Sequence, residues 1–108
     1  MGKARRFVAL IPFAFVLSAA AAAQSPDPNM LAYGEHLSGE CTTCHRIDGA
    51  DNGIPPIVGW PLDVFMAVMN SYKQGERTNQ AMISVAKSLD EDQLNALGTY
   101  FSTIEPKK

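Results

Sequence analysis

Residues 39–49 read GECTTCHRIDG, and they hold both cysteines of the 108-residue chain and one of its two histidines. Cys41, Cys44 and His45 suit three chemistries. A structural zinc site takes about four Cys or His ligands. Only His36 remains to complete that set, and adjacent Cys44 and His45 are poorly placed to share one tetrahedral ion. A thioredoxin-like dithiol opens a helix that follows a strand, whereas the residues before Cys41 read as helix. A plain Cys41–Cys44 disulfide suits an exported chain but gives His45 no task. Covalent haem attachment uses all three residues: two thiols add to the porphyrin vinyl groups, and the next residue is carried beneath the iron as a ligand. The cofactor expected is one haem c, bound through Cys41 and Cys44.

The N-terminus supports an exported chain. Lys3, Arg5 and Arg6 precede an almost unbroken apolar run over 7–22, and Ala21-Ala22-Ala23 supplies a small-residue cleavage site. The run approaches spanning length, but it is alanine-rich and no basic cluster follows it. Residues 1–23 are therefore expected to be a cleaved signal peptide, and 24–108 one small domain in the periplasm, with no membrane anchor after cleavage. No cysteine sits just after that site to carry a lipid. Residues 24–108 hold six Lys and Arg against eleven Asp and Glu, a net charge of about −5. That balance disfavours nucleic acid, since no basic patch is present. It suits a basic protein partner or solubility alone.

Along 24–108 the periodicity is helical throughout, and no alternating β-branched run predicts a strand. Leu31, Gly34 and Leu37 mark a short first helix ending near Gly39. RIDGADNGIPP (46–56) is a turn-rich loop. Pro61 opens a second helix, striped by Leu62, Phe65, Met66, Met69 and Tyr72. KQGERTNQ (73–80) is a polar loop before a short helical piece over 81–87. Asp90 and Gln93 form a capping box for a last helix lined by Leu94, Leu97, Phe101 and Ile104. Asp90, Glu91 and Asp92 read as helix-start charge rather than catalysis. The fold class expected is all-α, with about four to five short helices wrapped around one haem.

A second axial ligand has five candidates: Met30, Met66, Met69, Met82 and His36. Met66 and Met69 sit on the core stripe, where packing explains them. Met30 and His36 lie on the helix just before the motif, on the side of His45. Met82 follows a glycine-containing loop long enough to cross to the other haem face, and it is the expected ligand. Its neutral thioether favours the ferrous state relative to a second histidine. The competing reading of Met82 is a core methionine.

With these residues assembled, the chain resembles a class I c-type cytochrome over essentially all of 24–108. It is most similar to short bacterial forms, such as one half of a dihaem cytochrome c4 or the haem domains of flavocytochrome c sulfide dehydrogenases. The matching pieces are Gly34 ahead of CTTCH, PPIVG (55–59), YKQGER (72–77), Met82 and LDEDQLNALGTYF (89–101). The resemblance implies that the Pro55 carbonyl accepts a hydrogen bond from the haem histidine. It also implies that Gly34 is where the first and last helices cross, against Leu94, Gly98 and Tyr100. Phe65, Ile57 and Leu97 are expected to pack around the ring, as core residues first. Trp60 and Arg77 are candidates to bind the propionates; burial for Trp60 and plain solvation for Arg77 are the alternatives.

No catalytic acid, base or nucleophile constellation accompanies this site. The function expected is one-electron transfer, with iron cycling between Fe(II) and Fe(III) and redox protein partners: a donor dehydrogenase and an acceptor oxidase or cytochrome. The chain would act as a monomer or as a subunit of a hetero-complex. The alternative role is the cytochrome subunit of a periplasmic flavin- or molybdenum-dependent dehydrogenase that oxidises a sulfur compound. A gas-binding or peroxide-reducing haem protein is the rival of another class, and it requires Met82 to be off the iron.

Overall fold

The computed structural model describes residues 2–16 and 24–107. The expected cleavage site at Ala21-Ala22-Ala23, and the end of the apolar run before it, lie outside the described residues. Residues 2–16 have no regular secondary structure and are exposed. Among the described residues no helix is long and apolar enough to cross a membrane.

Four helices and no strand are present among the described residues. They are α1 (Pro28–Ser38), α2 (Leu62–Lys73), α3 (Gln80–Ser88) and α4 (Glu91–Ser102). Each start has a local cause. The Asp27 carboxylate accepts from the Asn29 N–H at 2.9 Å, and the Asn79 side chain accepts from the Met82 N–H at 3.0 Å. The Asp90–Gln93 capping box forms in both directions, 2.8 and 3.0 Å long. Pro61 stands one residue outside α2 as its N-cap, because the first helical residue is Leu62.

Helix α4 is the centre of the molecule, with α1 and α2 packed against it and α3 packed against α2. Phe65, Met69, Leu94, Leu97 and Phe101 are buried with Val58 and Ala86 in one apolar cluster. Burial of each large side chain contributes about 1.5–3 kcal/mol before entropy is set against it. Ile104 was expected on the α4 stripe; it lies beyond the helix C-cap Thr103 and is half-buried there.

The α1–α4 crossing falls at Gly34. A Cβ there would stand 2.1 Å from the Ala96 carbonyl oxygen and 2.7 Å from the Tyr100 Cβ, so only hydrogen permits this approach. Gly98 plays the same part toward α2, where a Cβ would meet Leu62 and Phe65 at 2.7 Å. The Lys73 ammonium, at the end of α2, donates to the carbonyl of Leu89, the extended residue that follows α3.

Candidate functional site

Helix α1 delivers the CTTCH motif. After Ser38 the chain continues through helix-like turns: Cys41 N–H and Thr42 N–H both donate to the Ser38 carbonyl at 3.0 Å, and His45 N–H donates to Cys41 O at 2.9 Å. The Thr43 hydroxyl donates to the Glu40 carbonyl at 2.8 Å, which tightens the same turn. Local backbone bonding therefore keeps the two thiols and the imidazole on adjacent turns.

Cys41 is half-buried and Cys44 exposed, and both are free thiols. Burial pushes the Cys41 thiol up to about 11, and the charge of Glu40 adds to that. Both thiols lie within one short stretch of turn, but only Cys41 packs against the apolar cluster.

His45 is buried, at 8% exposure. Its Nδ1–H donates to the Pro55 carbonyl at 2.7 Å. A carbonyl can only accept, so this bond places a proton on Nδ1, and in the neutral ring the free lone pair is then on Nε2. Among the described residues Nε2 makes no hydrogen bond. A neutral imidazole oriented through one nitrogen and open at the other has the form of a metal ligand with its supporting partner. Among the described residues, no three His, Cys, Asp or Glu side chains converge on a common point.

The apolar wall comes from distant parts of the sequence. Cys41, Ile57, Trp60 and Met82 pack, partly buried, against the cluster that contains Phe65, Leu97 and Val58. An open cleft of about 280 Å³ lies between the end of α1, α3 and the start of α4, bounded by Leu37, Cys41, Val85, Leu89 and Leu97. A second hollow, of about 410 Å³, lies near the start of α1 and is lined by Met30 and Leu62; Cys41, Cys44, His45 and Met82 do not border it.

Arg77 stands apart from this wall. It is exposed, its Nε–H donates to the Ser71 hydroxyl at 2.8 Å, and its guanidinium lies 5.5 Å from the Tyr72 ring centroid. These contacts hold it against the end of α2. Trp60 is half-buried on the core. Pro55 is itself exposed, although its carbonyl is engaged. His36 is exposed on α1 beside the cleft.

Sequence reasoning overlooked Val58, which at 4% exposure is more buried than Ile57 beside it. It also overlooked Leu37, Leu89 and Val85 as walls of the cleft. No periodic signal marks Val58 because it lies in a loop, and Leu89 is the non-helical C-cap of α3.

No family model matches the chain. It is 33% identical over 69 residues to a thiosulfate dehydrogenase electron acceptor of Thiomonas intermedia, covering 61% of this chain and 32% of that protein. A protein of the same description from Stutzerimonas stutzeri is 30% identical over 74 residues, covering 64% of this chain and 34% of that one. The chain thus spans about a third of the length of these two relatives. The cytochrome subunit of sulfide dehydrogenase of Chlorobaculum tepidum is 29% identical over 94 residues, and there the match covers 86% of both chains.

Proposed function

We propose that this chain is an exported c-type cytochrome of the class I monohaem kind, serving as the one-electron carrier of a dehydrogenase that oxidises a sulfur compound. The observation that carries the proposal is the hydrogen bond from buried His45 to the Pro55 carbonyl, which leaves Nε2 free, in a turn whose two thiols are free and whose Cys41 packs against the apolar cluster. The similarity to a cytochrome subunit of sulfide dehydrogenase along most of both chains supports the same reading. A haem bound here supplies one-electron cycling of its iron between Fe(II) and Fe(III). Cys41 and Cys44 would attach it, and His45 and Met82 would hold its iron. The Pro55 carbonyl fixes the imidazole and strengthens it as a donor. Phe65, Leu97 and Ile57 exclude water from one side of the site, and a low local dielectric favours the less charged state of any redox centre there. Residues 1–23 would be removed on export to the periplasm, leaving 24–108 as the working domain.

The test is expression with the N-terminal segment in a bacterium that matures c-type cytochromes. Haem should stay with the chain after denaturation, and Cys41→Ala with Cys44→Ala should release it. Met82→Ala should turn a ferrous protein that resists carbon monoxide into one that binds it. Chain recovered intact from such cells without covalent haem refutes the proposal.

The match along the length of the Chlorobaculum tepidum subunit favours a second arrangement, in which the chain is a fixed subunit of a sulfur-compound dehydrogenase rather than a mobile carrier. Elution of native protein at the mass of a complex, rather than of one small domain, decides between them.

A further inference from the structure

The side-chain hydrogen bonds that loop 46–59 makes within itself are all short-range. Asp48, Asp51 and Asn52 each accept from a backbone N–H two residues on, at 2.9, 2.8 and 3.3 Å. Gly49, Gly53 and Gly59 adopt φ of 77°, 92° and 77°. So glycine-rich a segment has many competing shapes, and a definite one must be imposed from outside. Among the described residues two backbone hydrogen bonds tie it to the rest of the chain. Gly59 N–H donates to the Phe101 carbonyl at 2.9 Å, and Lys107 N–H donates to the Asp48 carbonyl at 2.9 Å. Both partners belong to the C-terminal end, and the two tied positions flank Pro55.

Pro106 lies between the same two points. A Cβ at Gly49 would come 2.7 Å from the Pro106 Cβ, and one at Gly59 would come 3.2 Å from its Cδ. The pyrrolidine ring thus sits on two glycines at opposite ends of the loop. Gly49 and Gly59 need hydrogen as a side chain for two reasons at once, their positive φ and the ring lying over them.

We infer that residues 104–107 are a strap, with Pro106 and the Lys107 N–H as positioning groups, and that the strap holds loop 46–59 in the shape that brings the Pro55 carbonyl to His45 Nδ1. Its effect on redox behaviour rests on the haem reading above; its effect on the His45–Pro55 bond does not. With the strap in place the imidazole keeps a strong acceptor on Nδ1. With it removed, Pro55 drifts and the imidazole becomes a weaker donor, which favours the ferrous state.

The experiment compares the parent chain, a version lacking 106–108, and Lys107→Ala, which retains the backbone N–H. The readout is solvent exchange of the His45 Nδ1 proton by NMR, alongside exchange of the Leu97 and Phe101 amides in α4. Truncation should speed ring-proton exchange roughly tenfold, the scale of losing one hydrogen bond. The α4 amides should not change, Lys107→Ala should match the parent, and the reduction potential of the truncated holoprotein should move upward. Ring-proton exchange unchanged by truncation overturns the strap. So does acceleration of the α4 amides by the same factor, since that is general destabilisation. A parent chain that never takes up haem overturns the cofactor reading instead, and the ring-proton comparison on that same chain still decides the strap.

Discussion

Replacing Gly34 with alanine sets two effects of opposite sign against each other. Alanine is about 1 kcal/mol better than glycine in a helix interior, so helix propensity alone predicts a more stable protein. The tertiary structure predicts the reverse. A new Cβ would lie 2.1 Å from the Ala96 carbonyl oxygen and 2.8 Å from its carbon, both backbone atoms that cannot rotate aside. Comfortable contact needs about 3.5 Å, so α1 must retreat from α4 by roughly 1 Å. A gap of that order forfeits a quarter to a half of the dispersion energy along the seam. Overpacking costs about 1–3 kcal/mol, and a backbone clash belongs at the upper end. After the propensity gain the net loss is about 2 kcal/mol. A domain of this size is stable by about 4–13 kcal/mol, so the loss should lower the thermal midpoint by roughly 8–16 °C. Urea unfolding followed by circular dichroism measures it, with Gly39→Ala as the companion. Gly39 has φ of −54°, and a Cβ there meets nothing nearer than the His36 carbonyl at 3.9 Å. That variant should be unchanged or gain up to about 1 kcal/mol. If Gly34→Ala behaves like Gly39→Ala, the close crossing of α1 and α4 is refuted.

Three further outcomes are expected. Asp90→Ala removes the α4 cap and should cost about 1 kcal/mol in the same unfolding assay, with Asp90→Asn costing less. The Asp48 carboxylate, bonded to Arg46 and the Ala50 N–H, titrates at about 2 in the folded chain, below its ordinary 3.8. It therefore adds stability that is present above about pH 4 and fades as pH falls toward 2. Stability plotted against acid pH should be flatter over that window for Asp48→Asn. In chain made without haem, burial holds the Cys41 thiol near 11 while Cys44 is exposed. Iodoacetamide near pH 8 should alkylate Cys44 well before Cys41, as read by mass spectrometry of the digested protein.

The all-helical architecture was legible because its signals are local. Asp90 and Gln93 are three residues apart, and a capping box needs nothing else. The stripes on α2 and α4 repeat at helical spacing, and Phe65, Met69, Leu94, Leu97 and Phe101 are indeed buried. Small core residues were not legible. Ala86 and Ala96 are fully buried, yet an alanine reads the same on either face of a helix. Ile104 continued the α4 stripe in sequence, but the helix stops at Ser102 and the chain turns away to meet loop 46–59. Arg77 could be read only as a charge in a polar loop; its hold on Ser71 and Tyr72 depends on the chain doubling back over the end of α2.

The candidate site divides along the same line. Cys41, Cys44 and His45 could be named from the sequence alone, because the chemistry they suggest needs them nearly contiguous, and a few backbone bonds set their spacing. Which carbonyl faces His45 was suggested by resemblance and not by any local rule. Pro55 lies in a loop of glycines and short polar turns that permits many conformations. The loop that carries it is tied at Asp48, Gly49 and Gly59 to Phe101, Pro106 and Lys107, about fifty residues further along the chain. Short-range bonding selects a helix or a turn residue by residue. The approach of Pro55 to His45, and of Gly34 to Ala96, is a long-range matter, settled only when the whole chain packs.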